Sequence, residues 1–258
     1  CHSGISHAEH FRLDGGRVRL LAKQGTTAVV NHSKISGKTI QVLGAEVKIE
    51  DCAVLDASCK GRGGQIFVGG SFQGKDSSIL ASDRTFVGSQ TQLVADGLLS
   101  GDGGQIVVWS NGLTHFDGLA NARGGSLSGD GGLIEISGQQ LSYQGAVDTR
   151  ASHGKTGIVL WDPSNITIIN GDSLKNLKLR KQDGGYAFLP SGSEALIGDD
   201  ILSETLKSAN LILTTSSKDA GQGNIRIADA ISIETEGNDL TMIADGDFNL
   251  EHNLSFQG

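Results

Sequence analysis

Two adjacent glycines in front of an aliphatic strand recur along this chain, and that motif limits the folds open to it. Gly63-Gly64-Gln65-Ile66, Gly103-Gly104-Gln105-Ile106 and Gly131-Gly132-Leu133-Ile134 are three copies, and Gly15-Gly16-Arg17-Val18 is a weaker one. Two copies share the preceding step as well, Gly101-Asp102 and Gly129-Asp130. The copies stand 40 residues apart (63 to 103) and then 28 (103 to 131), so the repeat accepts loops of different length. Self-similarity on this scale marks a solenoid, in which each repeat buries its apolar face against the next. Glycine suits a coil corner because it accepts a positive φ.

Short runs between turn residues carry apolar side chains two apart, the period of a half-buried strand. Ile66/Val68, Ile106/Val108, Ile134/Ile136, Ile158/Leu160, Ile166/Ile168 and Ile225/Ile227 are such pairs. With 38 glycines but only 2 prolines in 258 residues, collagen is excluded. Asn-Gly, the short-hairpin signal, occurs only at Asn111-Gly112 and Asn170-Gly171, which argues against a hairpin barrel. The pattern predicts an all-β, right-handed parallel β-helix. At ~20–25 residues per coil and ~4.8 Å per rung, the chain makes about ten to twelve coils and a rod roughly 50 Å long. Inward aliphatic residues form ladders, and Thr, Ser, Gln and Lys face water.

Residues 1–36 read as N-terminal coils or a fragment edge, 37–169 as β-helix, 170–210 as an irregular, partly helical excursion and 211–258 as the continuation of the β-helix. A short helix is predicted near 195–209, capped by Asp199 and Asp200, with Leu202 and Leu206 on one face.

The net charge is −8, from 21 basic against 29 acidic residues, which disfavours nucleic acid as a partner. The longest apolar runs, such as Ile106-Val107-Val108-Trp109, fall far short of the ~18 residues of a membrane span. The chain opens without Met or a signal peptide, which predicts a piece of a longer protein. Three cysteines make no complete disulfide framework; Cys52 and Cys59 can pair only if neighbouring strands bring them together.

Several residue sets invite chemistry, and each has a plainer reading. Gly198-Asp199-Asp200 offers two carboxylates, as glycosidic cleavage requires, but a helix cap explains them too. The two Gly-Asp-Gly-Gly turns lack the nine-residue tandem spacing of a calcium β-roll, and Asp suits such turns without calcium. Cys1, His2, His7 and His10 match no closed zinc spacing, so no metal or other cofactor is predicted. His115, His153 and His252 stand alone, without a nucleophile motif. No phosphate-binding glycine motif is present. Trp109 and Trp161 each end an apolar strand; they are the candidate ligand contacts, as platforms for a sugar ring, against packing at a coil end.

In order along the chain, several stretches resemble filamentous-haemagglutinin-type exoproteins. Ala53 to Ser58, Gly63 to Gly70, Gly101-Asp102-Gly103-Gly104-Gln105-Ile106-Val107-Val108-Trp109-Ser110 and Thr114-His115-Phe116 carry the likeness. Gly129 to Gly132, Glu135 to Gly138, Gly154 to Gly157, Leu160-Trp161-Asp162-Pro163 and Asn165 to Ile168 continue it. Leu211 to Thr215, Gly223-Asn224-Ile225 and Leu240-Thr241-Met242 extend it, so that it spans about residues 37–258.

The resemblance implies a β-helical shaft of a bacterial adhesin or haemagglutinin, exported by two-partner secretion. Its partners would be an outer-membrane transporter and a host-cell receptor or glycan, and its location secreted or on the cell surface. The family's secretion module, with its Asn-Pro-Asn-Gly-type turn, is not found here, so the expectation is a non-enzymatic shaft segment downstream of it. Trp161, where an aliphatic residue is expected before Asp-Pro, and the pair Cys52 and Cys59 depart from the family's pattern. A β-helical carbohydrate-active enzyme and an autotransporter passenger are the alternatives.

Overall fold

Each double glycine turns the chain from one wall of a coil into the next. This holds in the computed structural model, which describes residues 10–14, 16–23, 25–171, 180–182, 185–187, 194–216 and 222–258. The second glycine donates its N–H back to the end of the preceding wall: Gly64 to Ala57 O (2.8 Å), Gly104 to Ala95 O (2.7 Å) and Gly132 to Ala122 O (2.7 Å). Gly157 does the same to Thr149 O at 2.8 Å. The first glycine lies under the following coil. A Cβ on Gly63, Gly103 or Gly131 would sit 2.0, 2.0 or 1.7 Å from the carbonyl oxygen of Ala95, Ala122 or Thr149. The corners therefore need glycine for close approach. Positive φ falls two residues before the double glycine, at Gly101 (137°) and Gly129 (123°), and in the weaker copy at Gly16 (83°).

The acidic residue that precedes the double glycine links rungs. Asp102 Oδ1 accepts the N–H of Asp130 (2.9 Å), and Asp130 Oδ1 accepts the N–H of Lys155 (2.8 Å). Asn210 and Asn224 repeat the device further on, accepting from Asp239 (2.9 Å) and Asp247 (2.7 Å).

The main wall is a long parallel sheet. It runs Arg17–Leu21, Thr39–Leu43, Gln65–Val68, Gln105–Phe116, Leu133–Tyr143, Ile158–Trp161, Asn210–Thr214, Leu240–Ile243. At its first edge His10–Asp14 pairs antiparallel with Arg17–Leu21. A second wall stacks Lys34–Ser36, Val54–Asp56, Gln92–Val94, Leu119–Asn121 and Ala146–Asp148, also in parallel. Between the two walls, Thr27–Asn31, Glu46–Glu50 and Arg84–Val87 lead into the far half of the bent strand Gln105–Phe116. The architecture is a parallel β-helix.

Among the described residues the main wall has eight parallel rungs, which span about 34 Å at the usual rung spacing. That is fewer and longer coils than predicted, because residues are spent on excursions. The stack includes Arg17–Leu21, Thr27–Asn31 and Lys34–Ser36.

Inward rows carry the core. Ile40, Ile66, Ile106, Ile134, Val159 and Leu211 form one buried ladder, and Val42, Val68, Val108, Ile136, Trp161 and Leu213 the next. Contact among such stacked aliphatic side chains is the dominant stabilising term for a fold of this kind. One expected pair points the other way. Val159 aligns with Ile134, so Ile158 and Leu160 face outward and Trp161 fills the inward row.

Because Asn210–Thr214 pairs directly with Ile158–Trp161, the main wall passes over the described part of the stretch 170–209. Within it, Glu194–Gly198 is a strand against Asn165–Ile169, so the predicted helix shortens to Asp199–Leu206. Leu202 and Leu206 are buried on one face of that helix. Asp199 and Asp200 occupy its first turn and do not cap it; the capping position is Gly198. Asp199 instead accepts N–H groups from outside its helix, Gly171 (2.8 Å) and Ser232 (3.1 Å). Cys52 and Cys59 are free, exposed thiols at opposite ends of the strand Val54–Asp56. An extended run of that length separates them by roughly 20 Å, against the ~6 Å a disulfide needs.

Candidate functional site

The outward face of the main wall should be wet, yet part of it is dry. The outward row Phe67, Val107, Glu135, Leu160 is buried throughout, and Glu135 has 0% exposure. The adjacent outward row holds Trp109, Ser137 and Asp162, the last 5% exposed. Residues 69–82 fold over this patch. Glycines at 70 and 74 bring the loop backbone onto the indole: a Cβ on either would lie 2.4 or 2.8 Å from the Trp109 ring.

Gln73 anchors the loop to the acids beneath. Its N–H donates to both oxygens of Glu135 (2.9 and 3.1 Å), and its Nε2 reaches Asp162 Oδ2 at 3.5 Å. The Ser137 hydroxyl hydrogen-bonds to Glu135, and Ser137 Oγ accepts the Asp162 N–H at 3.1 Å. Lys75 Nζ donates to Gln73 Oε1 at 2.6 Å. Burial raises the Glu135 carboxyl to about 8, and the nearby Asp162 acts in the same direction. The Gln73 and Ser137 hydrogen bonds and Lys75 pull it down without cancelling burial. Glu135 is therefore a protonated acid at neutral pH. Asp162 Oδ1 and Trp109 Nε1 are buried without a partner among the described residues.

A second polar cluster sits further along the same outward face. His115 Nε2 meets Asp117 Oδ2 at 2.8 Å and its Nδ1 meets Ser142 Oγ at 3.1 Å. Phe86 stacks on the imidazole with ring centroids 4.8 Å apart. This serine–histidine–aspartate chain resembles a nucleophile relay in connectivity. However, Ser142 and His115 are both 5% exposed, and the 80 Å³ hollow beside His115 does not reach Ser142. The chain works as a buried hydrogen-bond network.

Between the helix Asp199–Leu206 and the second wall runs an open groove of about 860 Å³. Asn121, Arg123 and Arg150 line one side and Asp200, Glu204 and Lys207 the other. Its cations are paired: Arg123 with Asp96 (2.7 Å), Arg150 with Asp148 (2.7 Å) and Lys207 with Glu204 (2.9 Å).

The two tryptophans singled out in the sequence are thus separated. Trp161 has no accessible surface and packs against Tyr143, centroids 4.4 Å apart, so it offers no face to a sugar ring. Trp109 points outward but lies beneath the 69–82 loop. The Asp199 carboxylate is committed to backbone amides. Of the residues weighed for metal near the start of the chain, Cys1, His2 and His7 lie outside the described residues, and no metal-binding group of three or more His, Cys, Asp or Glu occurs among the described residues. No helix among the described residues is long and apolar enough to cross a membrane.

Glu135 escaped the sequence reading although a signal for it existed. Counted from the double glycine, it takes the place of Phe67 and Val107, an acid where the other copies are apolar. Ser142 had no comparable signal, since only the coil register places it beside His115.

The chain matches no protein-family model, and no curated protein matches it.

Proposed function

We propose that this chain is a stiff, non-enzymatic shaft of an exported bacterial surface protein of the haemagglutinin type, carried out by two-partner secretion. The observation that supports it is the uninterrupted parallel stack from Arg17–Leu21 to Leu240–Ile243, with excursions looped out without breaking the rungs. Such a stack is a spacer by construction: each wall strand pairs only with its neighbours, so length adds without changing cross-section. The polar groove beside the helix is the surface on this shaft best suited to a receptor or glycan, being open and lined by side chains with hydrogen-bonding ends.

Antibodies raised against the purified chain test the location this function requires. Labelling of intact source cells, equal to that of permeabilised cells, is the expected result. Labelling that appears only after permeabilisation overturns the reading.

A further inference from the structure

We propose that residues 69–82 form a pH-sensitive lid, latched onto the outward face by the neutral Glu135 carboxyl and released when Glu135 loses its proton. The loop is a self-contained unit. Its ends are joined by the Ser82 N–H to Gly69 O bond (2.7 Å), as in a compact Ω-loop. It also satisfies much of its own backbone: Gly74 N–H bonds to Ser71 O (2.9 Å), Asp76 N–H to Ser71 Oγ (3.0 Å) and Ile79 N–H to Asp76 O (3.1 Å). Those bonds survive if the loop swings away. The base is fixed where Ser82 Oγ and Thr85 Oγ1 both donate to Trp109 O (3.1 and 2.7 Å).

The hydrogen bonds that dock the loop gather on the acids. They are the forked Gln73 N–H on Glu135 and the longer Gln73 Nε2 contact to Asp162, beside the loop glycines against Trp109 and the half-buried Phe72, Ile79 and Leu80. The charged groups acting on Glu135 are Asp162, at the end of the neighbouring strand, and Lys75, in the loop itself. Glu135 ionises at about 8 when closed, so the latch is set in neutral solution. Above that pH the ionised Glu135 is a buried charge beside Asp162, and the Gln73 N–H, the Ser137 hydroxyl and Lys75 offset only part of the cost of its burial. Lifting the loop lets water solvate both, which is the lower-energy arrangement for a buried charge.

Acrylamide quenching of tryptophan fluorescence on the full chain tests this from pH 6 to 9.5. Trp161 is the buried reference, and Trp109→Phe identifies the component from the loop. The expected result is a severalfold rise in Trp109 quenching centred near pH 8, absent in Glu135→Gln, which keeps the acceptor and lacks the charge. Unchanged quenching in the wild-type chain, or a rise that persists in Glu135→Gln, overturns the proposal. Hydrogen exchange on the wild-type chain gives a readout that needs no variant. The protection factor of the Gln73 amide should fall by up to tenfold per pH unit between about 4.5 and 8 and level off above 8, and a constant protection factor refutes the lid.

Discussion

Replacing Gly131 by alanine puts a methyl group where the coil leaves no room. The new Cβ would lie 1.7 Å from Thr149 O, 2.4 Å from Gly157 N and 2.9 Å from Gly157 Cα. All three are backbone atoms, so no side chain can rotate out of the way. The rung must open by more than an ångström, and the Gly157 N–H to Thr149 O bond of 2.8 Å lies directly in the path. Overpacking costs ~1–3 kcal/mol, and stranding a buried donor and acceptor costs about as much again. The sum, ~3–5 kcal/mol, is a large fraction of the ~5–15 kcal/mol that holds a domain together. Urea unfolding followed by far-ultraviolet circular dichroism measures it. At an m-value of ~3 kcal/mol/M the midpoint should fall by more than ~1 M. Gly61→Ala is the control, because its nearest contact would be Ser100 O at an ordinary 3.8 Å. It should change stability by no more than ~0.5–1 kcal/mol, on the stabilising side through the unfolded chain. If Gly131→Ala loses less than ~1 kcal/mol, the corner is not closed by steric exclusion and the reading of the double glycine is wrong.

Three further outcomes are expected. Glu135 holds its proton more tightly folded (about 8) than free (4.5), so its contribution is fully present below pH 4.5 and is lost as pH rises through 8. That difference amounts to ~5 kcal/mol at the limit, less whatever lid opening relieves. Urea midpoints of wild type and Glu135→Gln should therefore diverge between pH 5 and 9, the variant becoming the more stable, and parallel curves would contradict this. Asp130→Ala removes the acceptor for the Lys155 N–H and should cost ~1 kcal/mol in the same assay, while Asp130→Asn, which keeps an acceptor oxygen, should cost less. Trp161→Ala, at a fully buried position against Tyr143, should cost ~3–5 kcal/mol, and a loss under ~1 kcal/mol would show that the inward row is not tightly packed there.

The parts of the fold legible in the sequence are those governed by local spacing. The double glycines that begin at Gly63, Gly103 and Gly131 fix the corners, and Ile66/Val68, Ile106/Val108 and Ile134/Ile136 fix the inward rows, because strand period and corner chemistry are local. Ile158 and Leu160 misled because an apolar run fits either face, and only the pairing of Val159 with Ile134 chooses between them. The coil count was overestimated for a related reason. Nothing between residues 70 and 83 shows a period, and a segment without a period gives no length for the coil that contains it. The contact of Gln73 with Glu135 joins residues 62 apart, and the Gln73 to Asp162 contact joins residues 89 apart. Such contacts follow from the stack and cannot be read before it.

A solenoid divides its labour between its two faces, and this division is why Glu135 stands out. The inward rows must be apolar in every coil, since each rung is buried by the next. The outward rows are free of that demand and can carry Thr, Gln or Lys at little cost. Glu135 obeys neither rule: it is an outward side chain set between Val107 and Leu160 in its row, completely covered, beside a second acid. Stability alone would place an aliphatic residue there, as at Val107 one rung earlier, because a buried carboxyl costs more than the methyl groups it displaces. The loop that covers it supplies a forked N–H, an amide and a lysine to the same spot. An expensive group and a dedicated cover on a surface that needs neither form a two-state element, and ionisation of a single carboxyl selects between its states.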